Sequence, residues 1–200
     1  VTEIILIDDC GDDNTKEIID KIAIKYPNIN TKYIRHKERK GASGGRITGY
    51  TNASNKYILF GEDDAYLEKN YTNILLQKLK ENSSIGLISG RIIYKLPGES
   101  NRESEKRFKF GFEKKEVFDI GNFVFNINAY FESDIQLPMT HALFLTTKKL
   151  LENLSYDPFY SKGNGYREES DFQINAFVND YTIICTNDTH CYHMSNDEVK

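Results

Sequence analysis

The sequence predicts an α/β fold with a mainly parallel, doubly wound central sheet flanked by helices. Three observations carry that prediction. Strand-like and helix-like segments alternate through residues 1–90. Ile4 to Ile7 is continuously apolar and mostly β-branched, as for a strand covered on both faces. A second apolar run, Tyr57 to Phe60, stops at Gly61 and opens at once into Glu62, Asp63 and Asp64. In open α/β sheets ligands bind at the carboxyl ends of strands, where those acids fall.

The elements follow in order. After the strand Glu3–Ile7, the turn Asp8 to Asn14 leads into a helix whose apolar positions Ile18, Ile19, Ile22, Ala23 and Tyr26 keep helical spacing until Pro27; Asp13 or Asn14 can cap it. Lys32 to Arg35 reads as a second strand, and the small residues of Gly41 to Gly49 as a loop turning into a short helix. Beyond the acidic strand end, Ile74, Leu75 and Leu79 stripe a helix over Tyr71–Lys80, and Ile85 to Ser89 is a strand with room to run to Tyr94. Pro97 to Glu116 is charged and aperiodic, which predicts a mobile surface loop. Val117 to Ile127 reads as an irregular strand or hairpin. His141–Thr146 is a strand, Lys148–Leu154 a short helix, Glu168–Asn179 a longer one, and Thr182–Thr186 a last strand. Val1 opens directly into a core-type strand, so an upstream β-α unit is expected to be lacking.

Composition narrows the function. Two hundred residues at 39% hydrophobic suit one domain with a full core, and 28% charged residues predict a soluble protein. No apolar run approaches the roughly 18 residues of a membrane span, and no signal-peptide pattern is present. A net charge of −4 without a long basic block argues against a nucleic-acid partner. Three cysteines make no disulfide framework, and a reducing, cytoplasmic compartment is the default. Cys185, His190, Cys191 and His193 match no paired zinc-ligand spacing.

Three like charges at a strand mouth repel unless a cation or donors neutralise them, so Glu62 to Asp64 suit a hard divalent ion carrying phosphate oxygens; the bland alternative is a solvated acidic turn. Asp8 and Asp9 end the first strand at the same sheet edge, where a carboxylate accepts from a base N–H or a ribose hydroxyl; helix capping is the alternative. Arg46 is a fork donor suited to phosphate, with a surface arginine as the alternative. Glu168, Glu169 and Asp171 crowd the first turn of one helix, where one acid would satisfy the dipole, so one of them is a candidate general base. His193 lies just past the last strand, with an ordinary surface or packing histidine as the alternative.

Taken in order, these segments resemble a GT-A-fold glycosyltransferase of family 2. Ile7-Asp-Asp-Cys-Gly-Asp-Asp-Asn-Thr15 resembles its strand ending in paired aspartates, and Gly41-Ala-Ser-Gly-Gly-Arg-Ile-Thr-Gly49 its Gly-x-x-x-x-Arg-Asn-x-Gly segment. Tyr57-Ile-Leu-Phe-Gly-Glu-Asp-Asp64 resembles its strand and DXD metal motif. Tyr156-Asp-Pro-Phe with Gly165-Tyr-Arg-Glu-Glu-Ser-Asp-Phe172 resembles the region that holds the base, and Tyr192-His193 the late histidine of some members. The departures are Ile47 for asparagine, Glu62 for a common aspartate, Glu169 for the usual catalytic aspartate, and the absent first strand.

The resemblance implies transfer of a sugar from a nucleotide diphosphate-sugar to an acceptor hydroxyl with inversion, an activity of class EC 2.4. It implies Glu62, Asp64 and His193 as ligands of Mn²⁺ or Mg²⁺, and Asp8, Asp9, Arg46 and Asp63 on the nucleotide-sugar. Glu169 becomes the base with Asp171 beside it, and Arg167 and Glu168 face the acceptor. Residues 1–95 would form the nucleotide-sugar half and 96–200 an acceptor half with a smaller β region. The acceptor would be a glycan, lipid or protein, with membrane association through segments outside this sequence, at the inner face of the membrane. A nucleotidylyltransferase of related fold and a non-catalytic nucleotide-sugar-binding domain are the alternatives.

Overall fold

The computed structural model describes residues 1–110, 117–122, 124–126, 129, 131–161 and 167–195. In chain order the elements begin β1 (Glu3–Asp8), α1 (Thr15–Lys25), β2 (Asn30–Arg35), α2 (Gly41–Asn52), β3 (Tyr57–Leu59) and β4 (Ala65–Leu67). There follow α3 (Tyr71–Glu81), β5 (Ile85–Tyr94), α4 (Asn101–Phe110), β6 (Phe118–Asp119), β7 (Val124–Phe125) and β8 (Ile135–Gln136). The chain continues with β9 (Leu145–Thr147), α5 (Lys148–Asn153), a 3-10 turn (Pro158–Ser161), α6 (Glu168–Val178) and β10 (Thr182–His193). Two compact units emerge: Val1–Ile58 with Thr147–Phe172, and Leu59–Thr146 with Gln173–Lys200.

In the first unit β1 and β2 run parallel in unbroken register from Glu3↔Asn30 to Asp8↔Arg35. Parallel neighbours need a crossover, and α1 supplies it. Asp13 Oδ1 accepts from Thr15 N at 2.9 Å to start α1, while Asn14 makes no side-chain cap. The glycine-rich segment expected as a loop turning into a short helix is the helix Gly41–Asn52. Asp9 explains this: its two carboxylate oxygens accept from Lys40 N and Gly41 N, each at 2.8 Å, capping α2. Small residues then let α2 pack closely, with Ser43 and Gly44 buried and Ser43 Oγ donating to Asp157 O at 3.0 Å. α5 starts on Thr147, whose side chain accepts from Leu150 N.

The larger sheet runs in the order β3-β9-β5-β10-β4, with β8 also on β10. It is mixed, not mainly parallel. β5 and β10 are parallel, whereas β9 on β5 and both β4 and β8 on β10 are antiparallel. β10 runs for twelve residues where five were expected, and its added end, Cys191 to His193, is what β4 pairs with. In the second unit α3 buries Tyr71, Leu75 and Leu79 against β5, which is buried from Gly86 to Ile93. Tyr71 Oη donates to Leu143 O and accepts from Gly90 N, so its ring crosses the core without an unmet hydroxyl. Gly90 is required there, since a Cβ would lie 2.5 Å from the Tyr71 ring and 2.7 Å from Thr189 O.

Two further expectations change. The predicted loop over Pro97–Glu116 contains α4, opened by a reciprocal capping box in which Ser100 N donates to Glu103 Oε2 and Glu103 N to Ser100 Oγ. Phe108 buries the one apolar side chain that anchors it among α4 residues of described burial, and residues 111–116 lie outside the described ones. His141 to Phe144 is not strand, though His141, Leu143 and Phe144 are buried; the strand is Leu145–Thr147, as β9. Of the irregular strand or hairpin expected over 117–127, β6 and β7 pair antiparallel, Phe118 with Phe125, and the Lys162–Gly165 loop lies outside the described residues. Among the described residues no helix is long and apolar enough to cross a membrane.

Candidate functional site

The acidic strand end in the second unit is shaped by pairing. After β3 the chain turns through Glu62 to Asp64 and returns as β4, antiparallel to β10 with His193↔Ala65 in register. Met194 N donates to Asp64 O at 2.7 Å, tying the turn to the end of β10. His193 Nε2 therefore lies 3.3 Å from Asp64 Oδ2. Ligand-type atoms of Glu62, Asp64 and His193 all fall within 4.8 Å of one another. The fold thus brings together three residues spread over 132 positions of sequence, and it leaves Asp63 exposed beside them. Carboxylates this close repel by roughly 1–3 kcal/mol at an effective dielectric of about 20–80, which a cation would reverse.

Around His193 the packing is specific. Its ring stacks on Tyr94 with centroids 4.6 Å apart and planes 18° from parallel. Its Nδ1 sits 3.0 Å from Met194 O.

In the first unit Asp8 and Asp9 are engaged by their own fold. Asp8 accepts from Tyr33 Oη, from Gly11 N at 2.6 Å, and has Arg35 nearby, which together hold its carboxyl below the usual range. Burial pushes Asp9 upward, but the His36 hydrogen bond at 2.7 Å and the amides of Lys40 and Gly41 outweigh it and lower it. Asp9 keeps 31% of its side-chain surface open, Asp8 only 8%.

The start of α6 carries the remaining acids. Glu168 is buried and takes Arg46 Nε at 3.1 Å, both side chains nearly closed to solvent. Burial raises the Glu168 carboxyl, Arg46 opposes, and the neighbouring Glu169 adds to the rise. Glu169 is half-buried and accepts from Ser170 Oγ at 3.2 Å. Burial, then the charge of Asp157, raises Asp171. Tyr156 stacks on Phe172 at 4.4 Å with Arg46 over its ring, so this helix start is packed from below. Arg167 is exposed, with a left-handed backbone at φ +73°.

Residues 1–139 match the family model for glycosyl transferase family 2, more than half of the chain. The chain belongs to glycosyl transferase family 2. The matched span includes Asp8, Asp9, Arg46 and Glu62 to Asp64. A curated relative, a cholesterol galactosyltransferase of Borreliella burgdorferi, is 32% identical over 130 residues, which are 64% of this chain and 35% of the relative. The family 2 chain thus spans about a third of the curated relative it matches.

Solved structures share the GT-A fold. GalNAc-T7, crystallised with UDP, GalNAc and Mn²⁺, superposes with a TM-score of 0.72 at 14% identity, covering 97% of this chain and 38% of that one. TarS 1-349 of S. aureus gives 0.66 at 16%, covering 98% and 52%. The mannosyltransferase PcManGT of Pyrobaculum calidifontis, with GDP-Man and Mn²⁺, gives 0.64 at 14%, covering 95% and 47%. At these identities the likeness is one of fold.

Sequence reasoning did not single out two residues of these clusters. His36 follows β2 directly, and the parallel register of that strand with β1 is the signal that places it by Asp9. Tyr94 closes an apolar strand, where an aromatic looks like ordinary core.

Proposed function

We propose that this chain holds the transfer centre of a metal-dependent glycosyltransferase moving a hexosyl group from a nucleotide diphosphate-sugar to an acceptor hydroxyl, with inversion. The convergence of Glu62, Asp64 and His193 in a family 2 chain carries this reading. Their donor set fits a divalent ion: oxygens and one imidazole on a shell of about 2.0–2.3 Å lie within about 4.6 Å of one another, close to the separation found. The imidazole favours Mn²⁺ over Mg²⁺. Such an ion, when bound, would supply positive charge against the diphosphate leaving group.

The chain's own residues supply the rest. Asp9, the more open of the β1 pair, addresses the nucleoside, and Asp8 shapes the turn that presents it. Exposed Asp63 accepts from donor hydroxyls. Arg46 is assigned to bracing Glu168 in place of a phosphate contact, because the two form a nearly buried pair. That commitment leaves Glu169 as the carboxylate that takes the proton from the acceptor hydroxyl, with Asp171 and Arg167 holding the acceptor. One base and no enzyme nucleophile is the arrangement an inverting displacement needs.

The test begins with thermal stabilisation by UDP- and GDP-sugars, galactosyl donors first because of the named relative, with and without Mn²⁺. Stabilisation that requires the ion supports the reading; none with any donor opposes it. Glu169→Gln should then lower transfer roughly 10²–10⁴-fold with donor binding unchanged. Normal transfer by this variant would move the base elsewhere. Inversion is checked by the anomeric coupling of donor and product. Donor binding without transfer to sterol, glycan or peptide acceptors would indicate a binding domain.

A further inference from the structure

We propose that Tyr94 is a positioning residue that fixes the His193 imidazole for cation binding, an inference that rests on the metal reading above. An imidazole is a useful ligand only if the correct nitrogen carries its lone pair and the ring plane faces the ion. The nitrogen is chosen by Met194: its carbonyl oxygen, 3.0 Å from Nδ1, only accepts, so Nδ1 carries a hydrogen and Nε2 is the nitrogen left to offer a lone pair to an ion. Nε2 lies 3.3 Å from Asp64 Oδ2, on the side where Glu62 and Asp64 converge. One hydrogen bond leaves the ring free to tilt about it, and Tyr94 removes that freedom.

The two residues are register partners on the parallel pair β5 and β10, and their rings lie 4.6 Å apart at 18°. The platform itself is pinned. Lys95 N donates to His193 O at 3.2 Å, and Arg107 Nη2 donates to Tyr94 O at 2.6 Å from α4. Tyr94 is still 39% exposed, so filling the core does not account for a large aromatic side chain there. Its flat face against the imidazole does.

Mn²⁺ binding, measured by calorimetry and by electron paramagnetic resonance of the free ion, tests this directly. Tyr94→Ala and Tyr94→Leu should weaken Mn²⁺ binding about 10–100-fold, the usual worth of a group orienting a ligand. Tyr94→Phe, which keeps the ring, should restore it to within about twofold. Adding Tyr94→Ala to His193→Ala should cost nothing further, because the ring acts only through the imidazole. Long-range ¹H–¹⁵N spectra should show the Nδ1-H form of His193 in the wild type and a mixture of forms in Tyr94→Leu. Undiminished Mn²⁺ affinity in both Tyr94→Ala and Tyr94→Leu, or an added loss in the double variant, would overturn the inference. Wild-type Mn²⁺ binding by Asp64→Ala would instead remove the metal reading beneath it.

Discussion

The ends of β1 and β3 both carry adjacent carboxylates, and the fold treats them in opposite ways. At β1 the charges are consumed. Asp9 takes two backbone amides and the His36 ring, and Asp8 takes an amide and the Tyr33 hydroxyl. At β3, Glu62 and Asp64 meet each other and an imidazole instead of a helix start. Paired carboxylates at a strand end are therefore two different things. Where backbone donors converge they build the fold, and where acids converge, on the function proposed above, they await a cation. Each half of this contrast can be broken by experiment.

The largest expected effect comes from a histidine of the second unit that the fold consumes in the same way. His141 is consumed: Nε2 donates to Gly90 O at 2.8 Å, Nδ1 accepts from Leu143 N at 3.1 Å, and burial holds it at about 4 against an ordinary 6.5. The unfolded chain takes up this proton near 6.5 and the native one only near 4. Stability is thus complete above pH 6.5 and falls by roughly 3 kcal/mol between 6.5 and about 4. Asp8 and Asp9, both lowered, add their loss only below about 3.8, the ordinary aspartate value. Urea unfolding at pH 7 and 4.5 measures the first window, and His141→Asn should flatten it.

Next in size, Asp9→Ala should cost about 2 kcal/mol, from the lost cap of α2 and an orphaned His36. Asp64→Ala in metal-free protein should change stability by less than about 0.5 kcal/mol or raise it, since a repulsion is relieved. Equal losses would erase the contrast. Smaller still, Thr147→Ala should cost about 1 kcal/mol, because Thr147 caps α5 as Asp9 caps α2 but without charge. Thermal unfolding of the three variants ranks them.

The sequence made the strand ends legible because local pattern decides them: an apolar run, a glycine, then acids. It also gave α1, α3, α5, β5 and α6, whose spacing or β-branched content is strong within a dozen residues. Pairing between distant segments was not legible. β4 and β8 are three and two residues long and are strands only because β10 lies beside them. The start and length of α2 were not legible, because its helix is started by Asp9, more than thirty positions upstream. α4 was hidden by its charge, although Ser100 and Glu103 spelled its start. In the candidate site, the carboxylates and His193 were readable from motif order. The Arg46–Glu168 pair, 122 residues apart, and the Tyr94 stack were not, because both depend on tertiary packing.

The central claim is that the acids of β3, and not those of β1, are reserved for a cation. Mn²⁺ titration of the wild type, Asp9→Asn and Asp64→Asn, followed by the resonance of the free ion, tests it most directly. The account predicts one ion bound per chain in the wild type and in Asp9→Asn, and none over the same concentrations in Asp64→Asn. Binding undiminished in Asp64→Asn, or lost from a folded Asp9→Asn, would contradict it.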